Sequence, residues 1–184
     1  MLTHKGTQTI ETPRLILRRF IPTDAQSMYH NWASDPQVTK FLTWPPHDSV
    51  DTSRRIIESW IAEYANDSYY HWAIEFKELG QPIGSLIAIS KDDRLQTAHI
   101  GYCIGAPWWH QGIMTEALRA VVDFLFDEVG MNRIESRHDP NNPHSGAVMR
   151  KCAMRYEGTF RQADWNNQGI CDCAIYAILR SDRQ

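Results

Sequence analysis

The chain has 184 residues, with 19 Lys and Arg against 22 Asp and Glu and a formal net charge of −3, a length that suits one substantial core and is short for two. This balance, with the arginines scattered along the chain, excludes an electrostatic grip on nucleic acid, which needs Lys and Arg gathered against phosphates. No apolar run approaches the length of a membrane span and the N-terminal segment is not a hydrophobic signal, so a single domain over residues 1–184, soluble and cytoplasmic, is expected.

In chain order, alternation predicts a first strand from Arg14 to Phe20, and Thr23-Asp24-Ala25-Gln26 reads as the capping box of a helix ending near Ser34. Thr43-Trp44-Pro45-Pro46-His47 cannot propagate a helix. Ile56, Ile57, Trp60, Ile61 and Tyr64 mark one face of the helix that follows, and these two parts are expected to form a lid. Tyr69 to Lys77, Pro82 to Lys91 and Thr97 to Ile104 then read as three strands joined as an antiparallel meander, with turn chemistry at Glu78 to Gln81 and at Asp92-Asp93. Met114, Ala117, Leu118, Val121, Val122, Leu125 and Val129, spaced three and four apart, give a long helix that Gly130 stops. Arg133 to His138 forms a further strand before Pro140, Asn142 caps and Pro143 starts another helix, and Val148, Met149 and Cys152 share one of its faces. Arg155 to Trp165 and Ile170 to Leu179 make a final pair joined around Asn166-Asn167-Gln168-Gly169. The fold class is α+β, a mixed sheet flanked by helices.

Cys103, Cys152, Cys171 and Cys173 are too sparse for a disulfide framework, so reduced thiols are expected. Cys171 and Cys173 point the same way on a strand, where buried small hydrophobes are favoured over a redox or metal pair. The eight histidines show no His-x-x-x-His or His-Glu-x-x-His spacing, so no metal is expected.

The most informative stretch runs from Pro107 to Ala117, where a glycine turn separates a strand end from the long helix. Helix first-turn N–H groups lack intrahelical partners and carry the positive end of the dipole, so Gln111, Gly112, Ile113, Met114 and Thr115 form a cradle for a phosphorylated ligand without lysine or metal. Neither Gly-x-x-x-x-Gly-Lys-Ser/Thr nor Gly-x-Gly-x-x-Gly is present here, which disfavours nucleotide hydrolysis and hydride transfer. By itself one glycine before a helix is more often an ordinary turn.

The stretch resembles the acyl-CoA loop of the GNAT N-acetyltransferase superfamily, particularly its RimJ/RimL-like branch, through Trp109, Gly112, Thr115, Glu116 and Ala117; His110 and Met114 stand where that branch carries small residues. Thr-Pro-Arg-Leu at 12 to 15, Ile-Gly-Tyr at 100 to 102 and Asn142-Pro143-His144-Ser145 fall in the superfamily's order. The resemblance implies a mixed, mostly antiparallel sheet of about seven strands whose strands 98 to 104 and 133 to 138 splay, with acetyl-CoA as cosubstrate. A pantetheine arm would pair with main-chain groups of Ile100, Tyr102 and Ile104 as an added strand does, and the diphosphate would rest on Gln111 to Thr115. Asn142 resembles the family's cofactor-contacting asparagine, though a helix cap explains it equally.

His99 stands where many similar chains carry a glutamate and is a candidate base acting through water; a half-buried strand histidine satisfied by a neighbour is the plainer alternative. Asp164 lies in a segment resembling the one that carries an acidic catalytic residue in ribosomal-protein acetyltransferases, and a solvated or capping aspartate is its alternative. The family's thiolate-protonating tyrosine falls at Met149, so Ser145, earlier on that helix, takes this role, unless it is only a cap. Trp44 and Trp165, with Trp32, Phe41 and Tyr69, are offered as walls of an acceptor pocket, against plain core packing; Asp172 is offered as an anchor for a cationic amine. The implied function is acetyl transfer from acetyl-CoA to a primary amine, with a protein N-terminus the favoured acceptor. A small-molecule acceptor or a noncatalytic CoA-binding sensor are the alternatives, and a homodimer is left open.

Overall fold

Leu15 and Leu17 are fully buried while Ile16 and Arg18 between and beyond them are only half-buried, which is the alternation that marked this segment as a strand. The structure, a computed structural model describing residues 2–183, has eight strands in the order β1-β2-β3-β4-β5-β6-β8-β7. They are β1 (Ile10–Glu11), β2 (Leu15–Arg18), β3 (His71–Phe76), β4 (Gln81–Asp92), β5 (Thr97–Ile104), β6 (Arg133–His138), β7 (Arg155–Asn166) and β8 (Gly169–Leu179). The strand beyond the expected seven is β1, whose two residues are too few to show a period. The meander β2 to β5 is antiparallel as expected, and β5–β6 is the parallel pair.

Helices cover both faces. On one side α4 (Ile113–Phe124) and α5 (Pro143–Lys151) bury Ile113, Ala117, Leu118, Val121 and Met149 against Ile100, Ile134 and Tyr176. On the other, α1 (Asp24–Met28), α2 (Pro36–Thr39) and α3 (Val50–Glu63) enclose Phe20, Trp32, Val38 and Ile57. Both α1 and α4 end in a wider turn, marked by Ser34 N–H to Tyr29 carbonyl and Gly130 N–H to Leu125 carbonyl bonds. Among the described residues no helix is long and apolar enough to cross a membrane.

Two local expectations are corrected. Thr23 makes no side-chain cap bond; the Asp24 carboxylate instead accepts from Arg18 Nη1 and Nη2 at 2.8 and 2.9 Å and from the Ile21 N–H at 2.9 Å. Thr23 itself has helical backbone angles, φ −70° and ψ −13°, and not the extended ones of a capping residue. Nor is α3 a lid: Ile57 is fully buried and Trp60 packs on Phe20 and His71, with ring centroids 5.0 and 4.2 Å apart.

His71 is buried in that cluster and bonded through Nδ1 to the Tyr69 hydroxyl at 3.0 Å, and desolvation pushes its pKa down to about 3. The unfolded chain binds this proton near pH 6.5 and the folded one does not, so the stability present above that pH is lost as the pH falls. Chemical denaturation should show about 2 kcal/mol less stability near pH 5 than near pH 7.5 from this residue, a difference that His71→Gln removes.

Candidate active site

Strands β5 and β6 pair at three positions, Thr97 with Arg133, Ala98 with Ile134 and His99 with Glu135, and then part. Each keeps its outer partner, β4 and β8, so the gap is a wedge within an otherwise continuous sheet. Ser136 Oγ donates to the Ile100 carbonyl at 2.7 Å where the gap begins, and Trp109 Nε1 donates to the Ile104 carbonyl at 2.9 Å where it ends. Alternate residues of a strand present their main-chain groups to the same edge, so Tyr102 faces the gap between two carbonyls already occupied. Of the three residues whose main-chain groups were expected to pair with a pantetheine arm, Tyr102 is therefore the one whose carbonyl is left to accept.

At the head of α4, Gly112 takes φ +73°, a left-handed conformation in which a side chain is strained. The first bond of the helix runs from Glu116 N–H to the Gly112 carbonyl at 3.0 Å, so the N–H groups of Ile113, Met114 and Thr115 have no helical acceptor. Gln111 belongs to the bracing of the loop, not to the cleft lining: its Nε2 donates to the Pro107 carbonyl at 2.8 Å and its own carbonyl accepts from Arg14 Nη1 at 2.9 Å.

The Thr-Pro-Arg-Leu segment explains itself here. Glu116, in the first turn of α4, accepts from Thr12 Oγ1 at 2.6 Å, from Arg14 N–H at 3.0 Å and from Arg14 Nε at 2.7 Å. Burial opposes the charge of Glu116, but these donors and the Arg14 guanidinium outweigh it and hold its carboxyl below the usual range. The pair clamps the loop from behind, a role that the sequence spacing of about 100 residues conceals.

A cleft of about 450 Å³ lies between this loop, the first turns of α5 and the segment 37–42, and it opens onto Tyr102, Asn142 and Ser145. Asn142 makes no side-chain cap bond, which removes the capping explanation and leaves its amide at the cleft wall. Ser145 Oγ donates to the Tyr102 hydroxyl at 3.2 Å, and that hydroxyl donates to the Ser145 carbonyl at 2.9 Å. Burial pushes the Tyr102 phenol well above its ordinary range, against the Ser145 bond that lowers it, so it stays protonated as a donor. Met149, at the family's tyrosine position, is fully buried in the core.

On the opposite face of β5 stand His99, Gly101 and Cys103, since Ile100 packs with the α4 side and Cys103 with the α1–α3 side. His99 is half-buried, and its ring has no hydrogen-bond partner among the described residues. Burial, and then Arg137, lower its proton affinity, while Glu135 and Asp164 act to raise it. The sheet thus brings His99 and Asp164, 65 positions apart in the chain, within electrostatic reach of one another. Asp164 is exposed and accepts from its neighbour's Trp165 N–H at 2.8 Å. Glu135 sits between Arg133 and Arg137 at 3.0 and 2.9 Å.

The other acceptor-side candidates separate. Trp44 is partly buried against His47, ring centroids 5.2 Å apart, and its carbonyl accepts from Asn167 Nδ2 at 2.8 Å. Asn167 also donates to the Thr39 and Leu42 carbonyls, strapping the β7–β8 hairpin to the segment after α2. Trp165 is 57% exposed on the edge strand β7, and neither tryptophan lines the cleft. Trp32 is core and Tyr69 is bound to His71, whereas Phe41 does line the cleft. Asp172 is engaged by the Gln162 N–H at 2.9 Å, which stabilises the β7 bulge. Sequence reasoning missed the Tyr102 hydroxyl, visible only as a tyrosine in Ile-Gly-Tyr, and Ile89. Ile89 occupies a β4 bulge and lies so close over Gly101 that a Cβ there would meet its Cδ1 at 2.5 Å.

Residues 14–155 match the acetyltransferase (GNAT) domain family. The chain is 27% identical over 175 residues to the uncharacterized N-acetyltransferase p20 of Bacillus licheniformis, covering 95% of this chain and 98% of that one. It is 28% identical over 98 residues to the ribosomal-protein-serine acetyltransferase of Escherichia coli K12, covering 51% and 55% of the two chains. Its fold superposes with a TM-score of 0.83 on RimL, the ribosomal L7/L12 alpha-N-protein acetyltransferase in complex with coenzyme A, at 21% identity over 94% of this chain and 98% of that one. Free first-turn amides, a wedge between strands and a cleft joining them suit a phosphorylated carrier with an extended amide arm. The chain belongs to the GNAT family and is an N-acetyltransferase that draws its acetyl group from acetyl-CoA.

Proposed function

We propose that the acceptor is the N-terminal amine of a protein or peptide, which attacks from the His99 face of the gap while the coenzyme lies in the cleft that Tyr102 and Ser145 line. The observation that carries this reading is the wedge between β5 and β6, which opens the sheet at one place to both faces. The likeness to ribosomal-protein acetyltransferases supports the protein N-terminus over a small amine.

Acetyl-CoA supplies an acetyl group activated as a thioester. His99 takes the proton that the attacking amine must lose, and Asp164 supports the resulting imidazolium and draws the cationic acceptor in. The main chain of Tyr102 orients the arm. Ser145 gives its hydroxyl proton to the departing sulfur, rotating away from Tyr102, whose hydroxyl then donates a hydrogen bond to Ser145 Oγ across the same 3.2 Å; solvent returns a proton to Ser145 and takes the one that His99 holds, so the enzyme regains its starting state. Asn142 and the amides of Gly112 to Thr115 hold the carrier.

Release of free CoA with a panel of N-terminal peptides and small amines tests the assignment. Turnover on peptides with free α-amines is expected; turnover confined to small amines would replace the acceptor, and saturable binding without turnover would make the protein a sensor. Ser145→Ala is expected to lower kcat about tenfold or more with acetyl-CoA affinity unchanged, and Tyr102→Phe to lower it less. A loss confined to affinity would remove Ser145 from the chemistry.

A further inference from the structure

The mouth of the cleft carries a feature that acetyl transfer does not use. His110, in the loop before α4, and His144, in the first turn of α5, face one another edge to face with ring centroids 4.7 Å apart, and both line the cleft. They come from two segments 34 positions apart in the chain. His110 adopts φ +62°, a left-handed conformation uncommon outside glycine, so the backbone places a large imidazole at a costly position. The charged residues sharing the cleft are Lys40 at the end of α2 and Lys151 at the end of α5, and no aspartate or glutamate is among its lining residues. The chain as a whole is net negative, so this local sign is a property of the cleft.

Two uncharged imidazoles tolerate this spacing; two imidazolium ions, in a cleft that two lysines also line, repel one another. An anion between them reverses the balance. We propose that His110 and His144 form a proton-coupled receptor for a phosphoryl group of the coenzyme, so that binding takes up protons. The proposal rests on the acetyl-CoA reading and adds to it a residue pair and a linkage. Bound phosphate favours the charged form of each ring, so the complex holds more protons than the separated partners and affinity falls as the pH rises. Imidazole is the side chain whose charge changes across neutral pH.

The test is calorimetry of the full chain with CoA, dephospho-CoA and 4′-phosphopantetheine at about pH 8 and about pH 6.5, the lower limit chosen because a phosphomonoester itself gains a proton near pH 6. CoA is expected to bind about tenfold more tightly at the lower pH, with uptake of about one proton read from buffers of different ionisation enthalpy. The double variant His110→Asn with His144→Gln, in which asparagine tolerates the left-handed backbone, is expected to keep less than about a twofold difference. A slope retained with dephospho-CoA places the pair on the diphosphate, and a slope lost with it places the pair on the terminal phosphomonoester; either supports the receptor. Binding of CoA without pH dependence, or a slope that survives in the double variant, overturns the proposal while sparing the coenzyme reading. Folded protein that binds no CoA at either pH overturns both.

Discussion

His99→Ala is expected to lower kcat/KM about 100-fold or more, the scale of a lost general base, with the acetyl-CoA dissociation constant unchanged because His99 is not among the residues that line the cleft. The pH profile carries the sharper signature. A base works only when deprotonated, so the rate falls as the pH drops through its pKa. Burial first, and Arg137 second, depress that value, so the acid limb of the wild-type profile should lie below the ordinary imidazole value of about 6.5. Arg137→Gln removes one depressing charge and should move the limb up; Asp164→Ala removes a raising charge and should move it down. In His99→Ala the limb disappears. Asp164→Ala should also raise the acceptor KM if, as proposed, its exposed carboxylate draws the cationic amine in. If neither His99→Ala nor Asp164→Ala alters turnover beyond about tenfold, general-base catalysis by this face is wrong.

The second large effect is expected at a residue that touches no substrate. Glu116→Ala leaves Thr12 Oγ1 and the Arg14 N–H and Nε without this acceptor, and a bond to a charged group of this kind contributes about 1.5–3 kcal/mol, less where a partner is exposed as Arg14 is. The melting temperature should fall, and CoA affinity should fall with it because Arg14 also holds the Gln111 carbonyl. Glu116→Gln, which keeps two of the acceptor positions but not the charge, should lie between. The carboxyl is held below its usual range, so its contribution is complete above the unfolded value of about 4.3 and is lost as the pH falls below that. An alanine variant with wild-type melting and unweakened CoA binding would show that the clamp does not support the loop.

Local patterns made much of this molecule legible. The three-and-four spacing from Met114 to Val129 described a helix whose apolar stripe is in fact buried, and Asn166 to Gly169 announced the last hairpin because turn chemistry is local. What failed did so where a distant partner took over. The capping reading at Thr23 failed because its backbone is already helical, and the Asp24 beside it is held by Arg18 on β2. The lid reading of the segment after Trp44 yielded to burial of Ile57 and to the strap from Asn167. The meeting of Tyr102 with Ser145, of His99 with Asp164 and of His110 with His144 had no spacing to betray it.

The amino-acid sequence by itself determined the elements, the glycine-led loop and the kinship those motifs carry, because periodicity, turn residues and cap residues act over a few positions. Only the tertiary structure decided which side chains share a space. Pairing in a sheet and packing across it join residues tens of positions apart. Here they parted β5 from β6 after three pairs, gathered α2, α4, α5 and the end of β5 around one cleft, and set the charges around His99.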